Sequence, residues 1–130
     1  MPMGDVRIER EDKTVVAVLT GEVDMSNATS VRLQIAGYVT PDDDGLLLDL
    51  SELSFIDSAG LHALVELGTV LDERRQQLRL YVPHGSPIER AIEIIGLTSA
   101  IPVHSERGEA MEAARTSAME SWPIGPTDDA

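Results

Sequence analysis

The chain has 130 residues, of which 23 are acidic and 10 are basic, so its net charge at pH 7 is −13. That length suits one ordinary domain, and a negative field repels nucleic-acid phosphates, which argues against direct binding to DNA or RNA. Cysteine is absent, which excludes disulfides and thiolate metal sites, and with no long apolar run or basic leader we expect a cytoplasmic protein without membrane contact.

The start of the chain predicts two strands and a helix. Segments 7–10 and 15–19 carry Val and Ile residues that favour strands, and a polar turn joins them. The following helix is predicted from apolar residues spaced to share one face, which are Ala28, Val31, Ile35 and Tyr38. Asp24 or Ser26 is the expected N-terminal cap of this helix, because short polar side chains satisfy the first free N–H groups.

The middle of the chain predicts a turn, a strand and a helix in succession. Residues 40–45 have the composition of a solvated turn, and residues 46–50 form an apolar run typical of a buried strand. Residues 59–74 predict a helix, with apolar residues at Leu61, Leu64, Val65, Gly68 and either Leu71 or Val70. Ser58 should therefore lie at a helix start on the rim of a sheet, where free N–H groups tolerate a hydroxyl or a phosphate.

The last part of the chain predicts a strand at 78–82, a helix closed by Gly96, a short strand at 101–103 and a helix at 106–119. Ser86-Pro87-Ile88-Glu89 has the pattern of a capping box with proline at the first helical position. In the last helix, the residues expected to face inward are Ala110, Ala114 and Ala118. The alternation of strands and helices favours a sheet with parallel pairs, which the first hairpin makes mixed.

The segment around Ser58 also carries a longer pattern, Asp49-Leu50-x-x-Leu53-x-Phe55-Ile56-Asp57-Ser58-x-Gly60-Leu61. It resembles the phosphorylation-site segment of the STAS domain family, and more narrowly that of free-standing bacterial anti-sigma factor antagonists. The stretches 20–24 and 94–97 fit this resemblance at the expected places. It implies a single STAS domain over residues 4–118, an α/β fold with a small mixed sheet of about five strands and about four helices mainly over one face. Residues 119–130 are then expected to form a flexible acidic tail.

The resemblance implies a function based on exchange of protein partners. The unphosphorylated form would bind an anti-sigma factor, usually a serine-protein kinase, and thereby release a sigma factor. Phosphorylation of Ser58 by that kinase would prevent binding, and a protein phosphatase would restore it. ATP and magnesium belong to the kinase, so this chain needs no cofactor. The partner-binding residues are expected to be Asp24, Met25, Ser26, Asp57, Ser58, Ala59, Gly60 and His62.

One residue departs from the family pattern beside the acceptor. Many members have a second hydroxyl residue directly after the phosphorylated serine, whereas this chain has Ala59. That change removes a second acceptor and makes the local surface slightly more apolar.

Other chemistries fit these residues poorly. A nucleophile elbow needs glycine two residues before the serine, but Ile56 stands there, so we do not expect an enzyme. The histidines, His62, His84 and His104, are too far apart in sequence to predict a metal site, and the aspartate run at 42–44 lacks the ligand spacing of a calcium loop. Two alternatives stay open: Ser58 serves only as a helix cap, or the domain is a scaffold or ligand-sensing module outside a sigma-factor pathway.

Overall fold

The computed structural model describes residues 4–96 and 101–115. The elements in these ranges are β1 (Asp5–Glu11), β2 (Thr14–Val23), α1 (Ala28–Tyr38), β3 (Gly45–Ile56), α2 (Ser58–Glu73), β4 (Gln77–Tyr81), α3 (Glu89–Ile95), β5 (Val103–His104) and α4 (Arg107–Arg115). The strands lie side by side in chain order; β1 runs antiparallel to β2, and the remaining neighbours are parallel. The mixed α/β fold is therefore confirmed.

The helices are divided unequally between the two faces of the sheet. Right-handed crossovers that each add the next strand on the same side place their helices on one face. The larger core accordingly lies between that face and α1, α2 and the start of α3, with Leu19, Ile35, Leu48, Leu67 and Ile92 among its buried residues. On the other face, α4 packs Ala110, Met111 and Ala114 against Val16, Val18 and Leu47.

The strands β2 and β3 continue beyond their predicted ends at residues 19 and 50. β2 passes through Gly21, which has a φ of 80° and lies at an irregularity in the register with β3. A glycine at such a bulge interrupts the sequence pattern without ending the strand. β4 pairs with β3 only as far as Asp49, so beyond that residue β3 pairs with β2 alone among the described strands.

Both ends of α1 differ from the prediction. The N-cap residue is Asn27, so the expected cap by Asp24 or Ser26 is wrong. Tyr38 is 47% exposed rather than inward, because the helix ends there and the extended residue Val39 takes the buried position. The other predicted apolar positions of this helix are buried.

The acidic segment between α1 and β3 is not a wholly solvated turn. The Asp43 side chain is only 3% exposed and pairs with Arg10 of β1. It also accepts hydrogen bonds from the backbone N–H (2.7 Å) and the hydroxyl (3.1 Å) of Thr40. The side-chain amide of Gln76 donates to the carbonyls of Thr40 and Asp43 at 2.8 and 2.9 Å. These four residues, here called the Asp43 network, join β1, the turn and the start of β4.

The predicted capping box before α3 is wrong in its detail. The helix begins at Glu89 rather than Pro87. In a capping box the Glu89 carboxylate would accept from the backbone N–H of Ser86. Here it accepts from the N–H of Gly85, the preceding residue, at 2.9 Å. The predicted left-handed cap is confirmed, since Gly96 has a φ of 75°.

The last strand is shorter than predicted, and the last helix begins one residue later than predicted. β5 is Val103–His104 rather than 101–103, and α4 is described over Arg107–Arg115. Ala110 and Ala114 are fully buried, as predicted. Ala118 and the tail at 119–130 lie outside the described residues, so the domain end and the tail stay predictions. In the described part, every helix is too short or too polar to cross a membrane.

Candidate functional site

Ser58 is the first residue of α2, directly after Asp57. The backbone of Asp57 is extended, and one oxygen of its carboxylate accepts a hydrogen bond from the N–H of Gly60 at 2.9 Å. The helix is therefore capped by Asp57, and the alternative in which Ser58 only caps the helix is wrong. Ser58 is itself exposed, so its hydroxyl faces solvent without a structural duty at the cap.

The Asp57 carboxylate also holds a second segment against the start of α2. Its other oxygen accepts from the backbone N–H of Met25 at 3.2 Å. The N–H of Asp57 in turn donates to the carbonyl of Val23 at 3.2 Å. The loop after β2 and the start of α2, which are more than 30 residues apart in sequence, therefore adjoin. This brings together the two segments in which the sequence predicts partner-binding residues.

Asp24 organises the loop itself. Its carboxylate accepts from the backbone N–H of Ser26 at 2.9 Å and from the Ser26 hydroxyl at 2.5 Å. These hydrogen bonds favour the charged form and hold the pKa of Asp24 below its ordinary value. The side-chain oxygen of Asn27 accepts from the N–H of Asp24 at 2.9 Å. The loop thus presents Met25, which is 82% exposed, next to ionised carboxylates.

Gly60 is buried and permits a close contact between α2 and β3. A Cβ atom at this position would lie 2.6 Å from Cγ1 of Ile56 and 3.0 Å from the carbonyl oxygen of Val23. A larger residue would therefore push the start of α2 away from the sheet. Of the predicted partner-binding residues, Gly60 shapes the surface from beneath, whereas Ser58 and His62 are exposed and Ala59 is half-buried.

A small apolar cavity lies below this surface, between α1, α2 and the sheet. Its volume is 10 Å³, which is about the room of a single water molecule. The side chains and backbone that line it include those of Leu19, Val23, Ala28, Ile35, Gly60 and Leu64. It is too small to hold an organic ligand.

His62 lies one helical turn beyond Ser58 on the exposed face of α2. Its side chain is 72% exposed, and its Nε2 atom lies 3.3 Å from Oε2 of Glu66. The second oxygen of Glu66 lies 3.2 Å from Nε of Arg32 in α1. His62, Glu66 and Arg32 therefore form a polar cluster that reaches from α2 to α1.

Glu66 and Arg32 were not among the site residues predicted from the sequence. The spacing of four residues between His62 and Glu66 was available as a signal, because such pairs are neighbours on a helix surface. The position of Arg32 depends on how α1 packs against α2, for which the sequence offers no local signal.

The histidines lie on separate parts of the fold. His62 is on α2, and His104 is on β5. His84 lies in the loop after β4 and contacts Glu89 of α3. Within residues 4–96 and 101–115, no cluster of three or more His, Cys, Asp or Glu side chains has a geometry that could hold a metal ion.

Comparisons with known proteins point in one direction. The model of the STAS domain family matches residues 5–110. The protein BtrV of Bordetella bronchiseptica is 30% identical over 111 residues, covering 84% of this chain and 93% of that protein. The anti-sigma-B factor antagonist of Listeria monocytogenes is 30% identical over 101 residues, covering 78% and 88%. The crystal structure of an anti-sigma factor antagonist from Mycobacterium paratuberculosis has a TM-score of 0.78 at 25% identity, covering 88% of this chain and 96% of that one.

Proposed function

Because the chain belongs to the STAS domain family, we propose that it is an anti-sigma factor antagonist, which binds an anti-sigma factor while Ser58 is unmodified and so releases a sigma factor. Relatives from Listeria monocytogenes and Mycobacterium paratuberculosis are named for this role. The observation that carries the proposal is the exposed Ser58 hydroxyl, which is outside the helix cap and beside the loop that Asp57 holds.

The docking surface consists of the loop Asp24–Ser26, the start of α2 and His62. Met25 supplies an exposed apolar side chain to this surface, and methionine is enriched in protein interfaces. Asp24 and Asp57 supply negative charge, and the whole chain carries −13. A partner with a neutral or basic docking face is therefore favoured, because complementary charge speeds association and fixes orientation.

Phosphorylation of Ser58 by the anti-sigma factor, acting as a serine-protein kinase, ends this binding. The transfer forms a bond between Oγ of Ser58 and the γ-phosphorus of ATP and breaks the bond to the bridging oxygen of ADP. The hydroxyl proton passes to a base of the kinase, which also binds the ATP and magnesium. Because Asp57 caps α2, the added group leaves the cap in place and the domain stays folded.

The effect of the phosphate falls on the interface. It adds about two negative charges at neutral pH, next to the carboxylates of Asp24 and Asp57. An uncompensated charge buried between partners costs about 3–5 kcal/mol, which is a few hundred- to a few thousandfold in affinity. A protein phosphatase restores the free hydroxyl and with it the binding-competent state. A ligand-sensing role gains no support from the cavity beneath Gly60, given its volume of 10 Å³.

The proposal is tested with the purified chain, candidate anti-sigma factor kinases from the same organism, and ATP with magnesium. Mass spectrometry of peptides is expected to locate phosphate on Ser58, and the unphosphorylated chain is expected to displace the sigma factor from the kinase. Ser58→Ala is the test variant, and Ser30→Ala is its matched control, since Ser30 is an exposed serine of α1 outside the docking surface. Stoichiometric phosphate on Ser58→Ala, or no binding by the unphosphorylated chain, would refute the proposal.

A further inference from the structure

A row of polar side chains runs along the exposed face of α2 from the proposed modification site. Ser58, His62 and Glu66 are all exposed and are spaced four residues apart. Residues with this spacing are neighbours on a helix surface, with Cβ atoms about 5–6 Å apart. The contact of 3.3 Å between His62 and Glu66 already realises this geometry for the second pair. A group attached to Ser58 would occupy the equivalent position on the other side of His62.

We propose that the side chain of His62 binds the phosphate on Ser58 by a hydrogen bond. The protonated ring would then bridge that phosphate and the carboxylate of Glu66. This inference rests on the proposed function, because it concerns the state in which Ser58 is phosphorylated. It gives His62 a role in regulation that differs from simple contact with the partner.

The stereochemistry of the helix supports this assignment. Long side chains on an α-helix lean toward its N-terminus and cover the preceding turn, which for His62 is the turn that begins at Ser58. A protonated imidazole has two N–H donors. Nε2 faces Glu66, so Nδ1 is the donor for a second anion.

Among the neighbouring charged groups, His62 is the one whose protonation would respond to a phosphate on Ser58. Glu66 lies on its own helix, Arg32 on α1, and Asp57 and Asp24 lie toward the start of α2. Arg32 is a permanent cation that lies 3.2 Å from the other oxygen of Glu66. A histidine gains or loses its proton close to neutral pH, so a phosphate placed beside it favours the protonated ring. The phosphorylated domain would therefore hold a proton on His62 at higher pH than the unmodified domain does, and its phosphate would be partly neutralised.

The test uses the full chain with phosphoserine incorporated at position 58 during translation, compared with the unmodified chain. Imidazole resonances are followed by NMR from acidic to basic pH. The titration midpoint of His62 is expected to rise by about 0.5–1 pH unit in the phosphoserine form, because an adjacent opposite charge favours the cation. His84 is the internal control: it also contacts a glutamate, at 2.9 Å, but lies in the loop after β4, so its midpoint should not follow the modification.

The same interaction must be visible from the phosphate. Phosphorus NMR should give a lower midpoint for the second ionisation of phosphoserine with His62 present than in the His62→Gln variant, because the ring cation favours the dianion. Equal His62 midpoints in the modified and unmodified chains, or equal phosphate midpoints with and without His62→Gln, would overturn the inference. Neither measurement needs a kinase or a partner, so failure of the proposed function would be seen separately, as absent binding or absent phosphorylation.

Discussion

The carboxylate of Asp57 accepts a hydrogen bond from the backbone N–H of Met25 at 3.2 Å, while its other oxygen caps α2. One side chain therefore fixes both the start of the helix and the loop that carries an exposed apolar residue. Ser58 lies directly beside this side chain, so the relative position of the two docking segments depends on the neighbour of the proposed phosphorylation site.

Substitutions of Asp57 should separate its two roles. Asp57→Ala loses both acceptors and is expected to lower the free energy of unfolding by about 1–2 kcal/mol, as for other N-caps. Asp57→Asn keeps one acceptor oxygen, and asparagine caps helices as well as aspartate, so its cost should be below about 1 kcal/mol. Urea unfolding measures both values.

Amide hydrogen exchange supplies the residue-level check on this prediction. The Met25 amide should exchange faster in both Asp57 variants, whereas the Gly60 amide should exchange faster only in Asp57→Ala. Unchanged protection of Met25 in Asp57→Ala would mean that the loop is held by other contacts.

Ser58 should tolerate substitution without loss of stability. Because Asp57 supplies the cap, Ser58→Ala should change the free energy of unfolding by less than about 0.5 kcal/mol, the usual range for a surface change. Circular dichroism and urea unfolding test this directly. A loss of more than about 1 kcal/mol, typical of a lost cap, would restore a capping role to Ser58.

A charge at position 58 should weaken partner binding. Ser58→Glu places a carboxylate in the first turn of α2, where the helix dipole accepts it, so the fold should persist. Affinity for the anti-sigma factor should fall about 10- to 100-fold, which corresponds to about 1.4–2.8 kcal/mol. Ser58→Gln has the same size without the charge and should bind almost as wild type does in calorimetry. Equal affinities of the two variants would exclude charge as the cause.

The sequence was informative about this site where neighbours in the chain determine the structure. A strand followed by Asp57, Ser58 and a small residue before glycine predicts a helix start, and that start is observed at Ser58. The sequence alternative named Ser58 as the cap, whereas Asp57 is the cap in the structure; both residue types cap helices and they are adjacent, so the local pattern does not decide between them. The contact of Arg32 with Glu66 was beyond prediction, since it depends on the packing of two helices.

In the Asp43 network, loss of the Asp43 carboxylate should lower the free energy of unfolding more than loss of the Arg10 side chain. Asp43→Ala removes a carboxylate that is only 3% exposed and that accepts from the N–H and the hydroxyl of Thr40, which should cost about 1–3 kcal/mol. The Arg10 side chain is 42% exposed, so Arg10→Ala should cost less than about 1 kcal/mol, as for surface ion pairs. Thermal or urea unfolding of the two variants tests the ranking, and a larger effect of Arg10→Ala would contradict it.

Asp43 also shows why composition misleads. A run of three aspartates before glycine favours a solvated turn. The buried aspartate, Asp43, pairs with Arg10, which is 33 residues away in sequence, and accepts from a backbone donor placed by the turn itself. No local pattern distinguishes the buried aspartate from its neighbours.

His104 should make stability depend on pH. Burial, and then the nearby charge of Arg79, hold the pKa of His104 below its ordinary value. As pH falls below about 6.5, His104 binds a proton in the unfolded chain but not yet in the folded chain. The free energy of unfolding therefore decreases until pH passes below the lowered pKa of His104 in the folded state. Denaturation midpoints between pH ~7 and ~5 should therefore fall less in His104→Gln than in wild type.

A matched histidine checks the origin of that pH dependence. His62→Gln removes a histidine whose side chain is 72% exposed. This variant should therefore still lose stability as pH falls, as wild type does because of His104. If His62→Gln flattened the dependence and His104→Gln did not, the effect would belong to the surface of α2 instead.

Beyond Asp49, β3 projects past its partner β4 and is paired with β2 alone among the described strands. The docking loop and Ser58 stand at the tip of this two-stranded extension, whereas the Asp43 network closes the opposite end of the sheet. The exposed side chains at this tip, Met25 and Ser58, can therefore be exchanged at little cost in stability, in contrast to Asp57 and Gly60 beneath them. Under the proposed function, changes confined to these exposed residues would alter the choice of partner while the fold is kept.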